Sequence, residues 1–473
     1  MTASGRLFLL ALALLAALTL PSLLRVGMFF DGVTSAAIAR NLAEGTGTFW
    51  APHYTETAHP RMFEFFPLGL WLQSWVYRAF GDHLALDRLW NLGMGVGIVG
   101  LLAWVWRLTA AAQPPSAGGW WPALLFLSAP LVAATLRHNG TEATLTVFAL
   151  AASAAGLRAV GHSSPAGQAG YGAASGLLLL GALLAKGPQG LFPLVLPLAA
   201  PVFLPGVPWR AARTAGLAML GALGTGLAVL LLADAGARES FAAVLGDRVL
   251  ASLEGRRGQS SRWRMLWRLG RDLAVPLALG LLGALVGRRP VGTTGAGRAG
   301  FFLALGAAAS LPFLVSPIQY ARYLFPSLPF FAAAVAALFN ATGLQVEAIA
   351  SRPAGRRAVA LLVVLSVAAA AALMVARAGT IERDPEFHRH LTRPALRLEG
   401  RPTIAVCPPR LASDWPFVAN MQRVFRASLT KAWGGPLRLV ESAAACPLPP
   451  GCAPLGAGPR GRYTLYRCPA GPL

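Results

Sequence analysis

The 473-residue sequence predicts an α-helical polytopic membrane protein that ends in a small α/β domain stabilised by disulfides. Three observations predict it. Hydrophobic residues make up 55% and charged residues 13% of the chain, about half the charged share of an ordinary soluble protein. The apolar residues fall in blocks, several of them near the ~20 residues that cross a bilayer. All four cysteines, Cys407, Cys446, Cys452 and Cys468, come after the last block.

The blocks give about eleven candidate spans: 7–26, 89–106, 121–136, 144–157, 173–184, 191–204, 215–232, 273–286, 301–315, 323–339 and 358–375. The first follows Arg6 and runs into Pro21-Ser22-Leu23 without a small-residue cleavage site, so it reads as an uncleaved helix. The apolar, Trp-rich stretch 67–80 reads as an interfacial or re-entrant helix. These spans divide the chain into a membrane domain, 1–378, with outer loops 27–88 and 234–272, and a soluble domain, 379–473.

The net charge of +22 does not mark a nucleic-acid binder. Its arginines sit in the short segments between apolar blocks, where membrane proteins carry them. Lysine occurs only at Lys186 and Lys431, which sets Lys186 apart. Arginine counting puts the N-terminus in the cytoplasm, although the outer loop from Arg238 to Arg271 holds eight arginines. The cysteines agree with that orientation. An even set confined to a small polar tail implies disulfides and an oxidising compartment, and an odd number of spans puts the tail outside. Four cysteines allow three pairings, and a zinc site is the rival reading. Within the tail, 403–406, 437–440 and 463–466 read as strands and 415–429 as a helix.

Five groups of ionisable residues stand at the outer ends of spans, where their desolvation cost makes them functional candidates. Asp31 follows the first span and opens a helix, 33–42, that reads as lying along the interface; it is a general-base candidate or a helix cap. His59 and Glu64 precede a slope of aromatics ending in Trp71, Trp75 and Tyr77, and Glu64 is placed to face a sugar. Asn139 and Glu142 form a short turn at the start of a helix, where a carboxylate is favoured. Lys186-Gly187-Pro188 breaks the chain after the fifth span and suggests a phosphate site built from backbone donors and a lone cation. The loop 234–272 interleaves Arg256-Arg257 and later arginines with Trp263 and Trp267, as anionic headgroups favour. Gln319, Arg322 and Tyr323 open the tenth span on the same face.

In this order the features resemble a known superfamily. An acidic residue follows span one, and Glu-x-x-Pro-Leu-x-x-Trp-Leu-Gln (64–73) closes the first loop. Asn-x-x-Glu (139–142), Lys-Gly-Pro (186–188) and Gln-x-x-Arg-Tyr-Leu-x-Pro (319–326) follow. Together they are similar to membrane glycosyltransferases of the GT-C type, in the family-39-like group that includes protein O-mannosyltransferases and the lipid A aminoarabinose transferase. The resemblance spans essentially the whole chain. It implies a polyprenyl-phosphate-linked sugar donor and a lipid, glycan or protein acceptor, on the periplasmic face of a bacterial inner membrane. It implies catalytic roles for Asp31 and Glu142 and donor-phosphate contacts from Lys186 and Arg322, to which the arginine-rich loop adds Arg256 and Arg257 as candidates. Sugar or acceptor contacts fall to Glu64, His59, Asn139, Gln319 and Tyr323.

The chain departs from the pattern at two places. Gly32 stands where many relatives have a second carboxylate, and Phe65-Phe66 stands where many have His-Pro or Lys-Pro. Besides the substrates, membrane lipids are the expected partners. No cofactor is expected and no metal-ligand spacing is evident, although the sequence leaves divalent-metal dependence open. A flippase or transporter would show mid-membrane charges and repeated halves, and neither is evident; a non-catalytic glycan-binding relative is the third reading.

Overall fold

The structure is a computed structural model that describes residues 1–63, 65–109, 119–246, 262–287, 293–315, 319–392, 398–442, 446–455 and 462–469. Each of the eleven expected apolar stretches folds as helix. The number able to cross a membrane is smaller. Among the described residues seven helices are long and apolar enough, or nine if two bent pairs each count as one span. Proline accounts for most of the difference. Trp120–Leu127 and Pro130–Arg137 meet at 79°, with Pro130 at the first position of the second helix, where its ring bars the preceding residue from helical geometry. The segment Pro188–Phe203 is short and broken by Pro193, Pro197 and Pro201.

The chain divides into two compact units. The first comprises Met1–Pro21, Glu64–Gly69 and Asn91–Leu373. Within it the helices Thr141–Val160, Pro165–Lys186 and Trp209–Ala233 pack side by side. Glycine lets the second and third of these touch backbone to backbone. A Cβ at Gly172 would lie 2.5 Å from the Ala215 carbonyl oxygen, and one at Gly176 would lie 2.2 Å from that of Met219. Small residues four apart serve this purpose generally in membrane helices. Further along, Gly226 meets Leu180. Contacts that advance together on both helices mean that the two run parallel.

The second unit comprises Ser22–Phe63, Leu70–Trp90 and Met374–Leu473, so the first loop folds with the tail. The helix Phe30–Ala43 is buried at every position from Gly32 to Leu42, a core helix rather than the interface-lying one expected from its small and apolar residues. It packs on the helix Trp415–Phe425, with Val33, Met28 and Ala419 at the contact. Arg40, 1% exposed, donates to the carbonyls of Gln422 (3.0 Å) and Arg423 (3.1 Å) and so caps that helix. Arg423 donates to both oxygens of Asp87 (2.8 and 3.0 Å) and to Asp82 (2.7 Å), while the Tyr77 hydroxyl donates to Asp87. Burial weakens the Arg423 charge, but the Asp87 carboxylate more than offsets it and holds the guanidinium protonated.

The tail contains a five-stranded sheet of order β2-β1-β3-β5-β4, where β1 is Thr403–Cys407, β2 Ser428–Thr430, β3 Leu437–Glu441, β4 Ala453–Pro454 and β5 Tyr463–Arg467. β1 lies parallel to β2 and β3, and β5 antiparallel to β3 and β4. The three expected strands are present. The helix expected over 415–429 stops at Phe425 because Arg426 turns left-handed (φ 57°), and the next residues form β2 instead. Disulfides join Cys407 to Cys446 and Cys452 to Cys468. All four sulfurs are thereby used, which removes the zinc alternative.

Replacing Arg423 by methionine leaves Asp87, 1% exposed, charged and unmatched in a buried site. Breaking such a pair costs about 3–5 kcal/mol, so thermal unfolding of the purified R423M protein is expected well below wild type. An unchanged melting temperature would mean that this network does not hold the second unit.

Candidate active site in the membrane unit

Three chain segments of the first unit bring charge together. Glu142 lies in the first turn of the helix Thr141–Val160, whose N-cap, Gly140, offers no side-chain cap. The helix dipole favours a carboxylate there. Lys186 is the last residue of the helix Pro165–Lys186, at the end where a cation is favoured. Arg322 belongs to the 3-10 helix Ala321–Ser327.

The Glu142 carboxylate is 1% exposed. Lys186 Nζ donates to its Oε1 at 2.7 Å and to Thr141 Oγ1 at 2.8 Å. Arg322 Nε lies 3.3 Å from the same Oε1, an ion-pair distance. A carboxylate so buried stays charged only when paired and hydrogen-bonded. Aromatic rings complete the surroundings. The Arg322 guanidinium stacks 4.7 Å from the Tyr320 centroid, and Lys186 Nζ and the Arg322 guanidinium each lie 5.8 Å from that of Tyr323.

Beside this cluster the chain turns sharply. Gly187 has φ +109°, a conformation that suits glycine, and a Cβ there would stand 3.1 Å from the Phe66 ring. Phe66 is 3% exposed and packs edge-on against Phe241 at 5.1 Å. At the break two of the backbone amides bond within their own turns. The Gly187 amide donates to the Leu183 carbonyl and the Gly190 amide to that of Gly187.

The remaining candidates divide. Asn139, 2% exposed, takes a left-handed conformation (φ 53°) that lets the chain turn into the Glu142 helix. The Asn91 amide steadies that turn by donating to the carbonyls of Thr135 and Gly140. Gln319 acts as a local clasp: its side-chain amide donates to the Phe313 carbonyl, and its own carbonyl accepts from Arg268. In the second unit, Asp31 occupies the first turn of Phe30–Ala43, but the N-cap is Phe29, with no side-chain cap bond, so Asp31 is not the cap. His59 stacks on Trp415 (5.2 Å) and on Tyr54 (6.3 Å) inside that unit. Glu64, Arg256 and Arg257 lie outside the described residues.

Among the described residues no three His, Cys, Asp or Glu side chains gather as a metal site would require. Two contributors escaped the sequence reading. One is Thr141, for which a hydroxyl beside an acid at a helix start is the available signal. Tyr320 sat unremarked between Gln319 and Arg322.

No protein-family profile and no curated protein matches the sequence. Solved structures do match its shape. ArnT from Cupriavidus metallidurans bound to undecaprenyl phosphate superposes with a TM-score of 0.67 at 16% identity, over 100% of both chains. The fold is that of ArnT. The apo form of ArnT gives 0.63 at 17% identity, over 98% of this chain and 97% of that one. An oligosaccharyltransferase from Archaeoglobus fulgidus overlaps more loosely, at 0.46 and 15% identity over 90% of this chain and 63% of its own. The helical membrane architecture with a small sheet domain at its C-terminal end, expected from the sequence, is thus the architecture observed.

Glu142→Ala strips the carboxylate from two cations, and Lys186→Ala removes one cation from the carboxylate. Each is expected to lower the thermal stability of the detergent-purified protein, by up to about 3–5 kcal/mol for the buried acid. The double variant is expected to lose clearly less than the two losses added together. Simple additivity would show that the pair is not coupled.

Proposed function

We propose that this protein is a glycosyltransferase that moves a sugar from a polyprenyl-phosphate-linked donor to a lipid, glycan or protein acceptor, at the periplasmic face of a bacterial inner membrane. The observation that carries the reading is the pairing of Lys186 and Arg322 on buried Glu142, set in an ArnT-like fold.

The chemistry asks for such a cluster. As the acceptor hydroxyl attacks the anomeric carbon, the bond to the phosphate oxygen breaks and the polyprenyl phosphate leaves with an added negative charge. Cations already oriented near that oxygen stabilise the charge without reorganising. Glu142 holds both cations, so it serves here as a positioning residue rather than as the base. The rings of Phe66 and Phe241 give the ground beside Lys186-Gly187 an apolar character that suits an isoprenoid chain. The phosphate-bound state of ArnT lends the reading support by analogy of fold. The general-base role of Asp31 rests on the motif after the first span.

The test is sugar transfer from a polyprenyl-phosphate donor in reconstituted membranes. Lys186→Ala is expected to raise the donor concentration needed more than it slows saturated turnover, and Asp31→Asn to abolish turnover while donor binding persists. Full turnover in D31N overturns the base assignment; a K186A defect confined to saturated turnover overturns phosphate binding by Lys186.

A further inference from the structure

A second feature of the membrane unit lies apart from the Glu142 cluster. The helix Trp209–Ala233 and the segment Pro188–Phe203 leave a groove of about 460 Å³ between them. Its walls are apolar, with Leu194, Pro197 and Leu198 facing Leu217 and Leu220. Gly216 forms the floor, where a Cβ would stand 3.1 Å from Pro197. Trp209, Arg210 and Arg213 line the same groove, all from the first turns of the helix.

We infer that this groove binds an anionic glycerophospholipid, one acyl chain lying along the helix and its phosphate held by Arg210 and Arg213. Residues three apart on a helix share a face, so the two guanidinium groups converge on one headgroup. No acidic side chain lines the groove among the described residues. Trp209, 59% exposed, has the amphipathic ring found at headgroup level. Leu217 is 64% exposed on a helix long and apolar enough to span, and Leu198 63% exposed on the short apolar segment beside it, where a hydrocarbon chain is the natural cover. Basic pockets between membrane helices recognise anionic headgroups by this combination.

The site differs from the proposed donor site in position. The helices Pro165–Lys186 and Trp209–Ala233 run parallel, with Gly172 against Ala215 and Gly226 against Leu180. Arg210 and Arg213 therefore stand at the helix end opposite the one that carries Lys186. A phospholipid of the other leaflet fits there.

Phosphatidylglycerol and phosphatidylcholine, titrated separately into delipidated protein and followed by native mass spectrometry, test the inference. Wild type is expected to prefer phosphatidylglycerol. The double variant R210Q/R213Q is expected to bind it roughly tenfold more weakly and to bind phosphatidylcholine as before. Leu217→Trp, which fills the groove from a lipid-exposed position, is expected to weaken both lipids without lowering the melting temperature. Undecaprenyl phosphate binding is expected to survive in all these variants. Equal affinity of wild type for the two lipids, or undiminished phosphatidylglycerol binding by R210Q/R213Q, overturns the proposal. Competition by free glycerol phosphate as strong as by the lipid overturns the part assigned to the acyl chain.

Discussion

The buried carboxylate of Glu142 is the constraint from which the membrane unit's chemistry follows. A charge at 1% exposure among apolar helices is tolerable only beside opposite charge. That requirement fixes where three segments meet: the start of Thr141–Val160, the end of Pro165–Lys186 and the 3-10 helix Ala321–Ser327. Each segment offers its residue where the local backbone favours it, the acid at a helix start and the lysine at a helix end. The glycines at 172 and 176 bring the neighbouring helix to backbone contact, and Gly226 makes room for the Leu180 side chain. Gly187 then turns the chain away at once, under the Phe66 ring.

The second unit obeys a similar rule with different residues. Arg423 carries its buried charge against Asp87 and Asp82, and Arg40 spends its donors on the end of the helix that holds Arg423. At the rim, Arg426 and Arg401 reach Glu44. Basic groups of the tail thus meet acidic groups of the first loop. This is why segments far apart in sequence fold as one body, with two disulfides closing the sheet beyond them.

Much of this was legible in the chain. Apolar blocks mark the long helices of the membrane unit because burial in lipid demands continuous hydrophobicity. Lys186 stood out because lysine is so scarce here, and Glu142 because it opens a span. The segments 403–406, 437–440 and 463–466 read as strands and are β1, β3 and β5. What stayed hidden depends on contacts between distant segments. Composition does not show that Pro130 bends its span by 79°, nor that Glu142 and Lys186 share a hydrogen bond. Four cysteines allow several pairings, and only the sheet chooses between them. The helix Phe30–Ala43 looked interfacial because small residues suit a surface as well as a tightly packed core; its partner, Trp415–Phe425, lies hundreds of residues away. Lys-Gly-Pro suggested backbone donors, and two amides of that break, those of Gly187 and Gly190, bond back into their own turns.

The most direct measurement is an experimental structure of the protein with undecaprenyl phosphate bound in a lipid nanodisc. The expected density places the phosphate within hydrogen-bond reach of Lys186 Nζ and the Arg322 guanidinium, with Glu142 still paired to both. A phosphate bound elsewhere, with the Glu142 cluster unchanged and remote from it, would contradict the assignment of this cluster to the lipid phosphate.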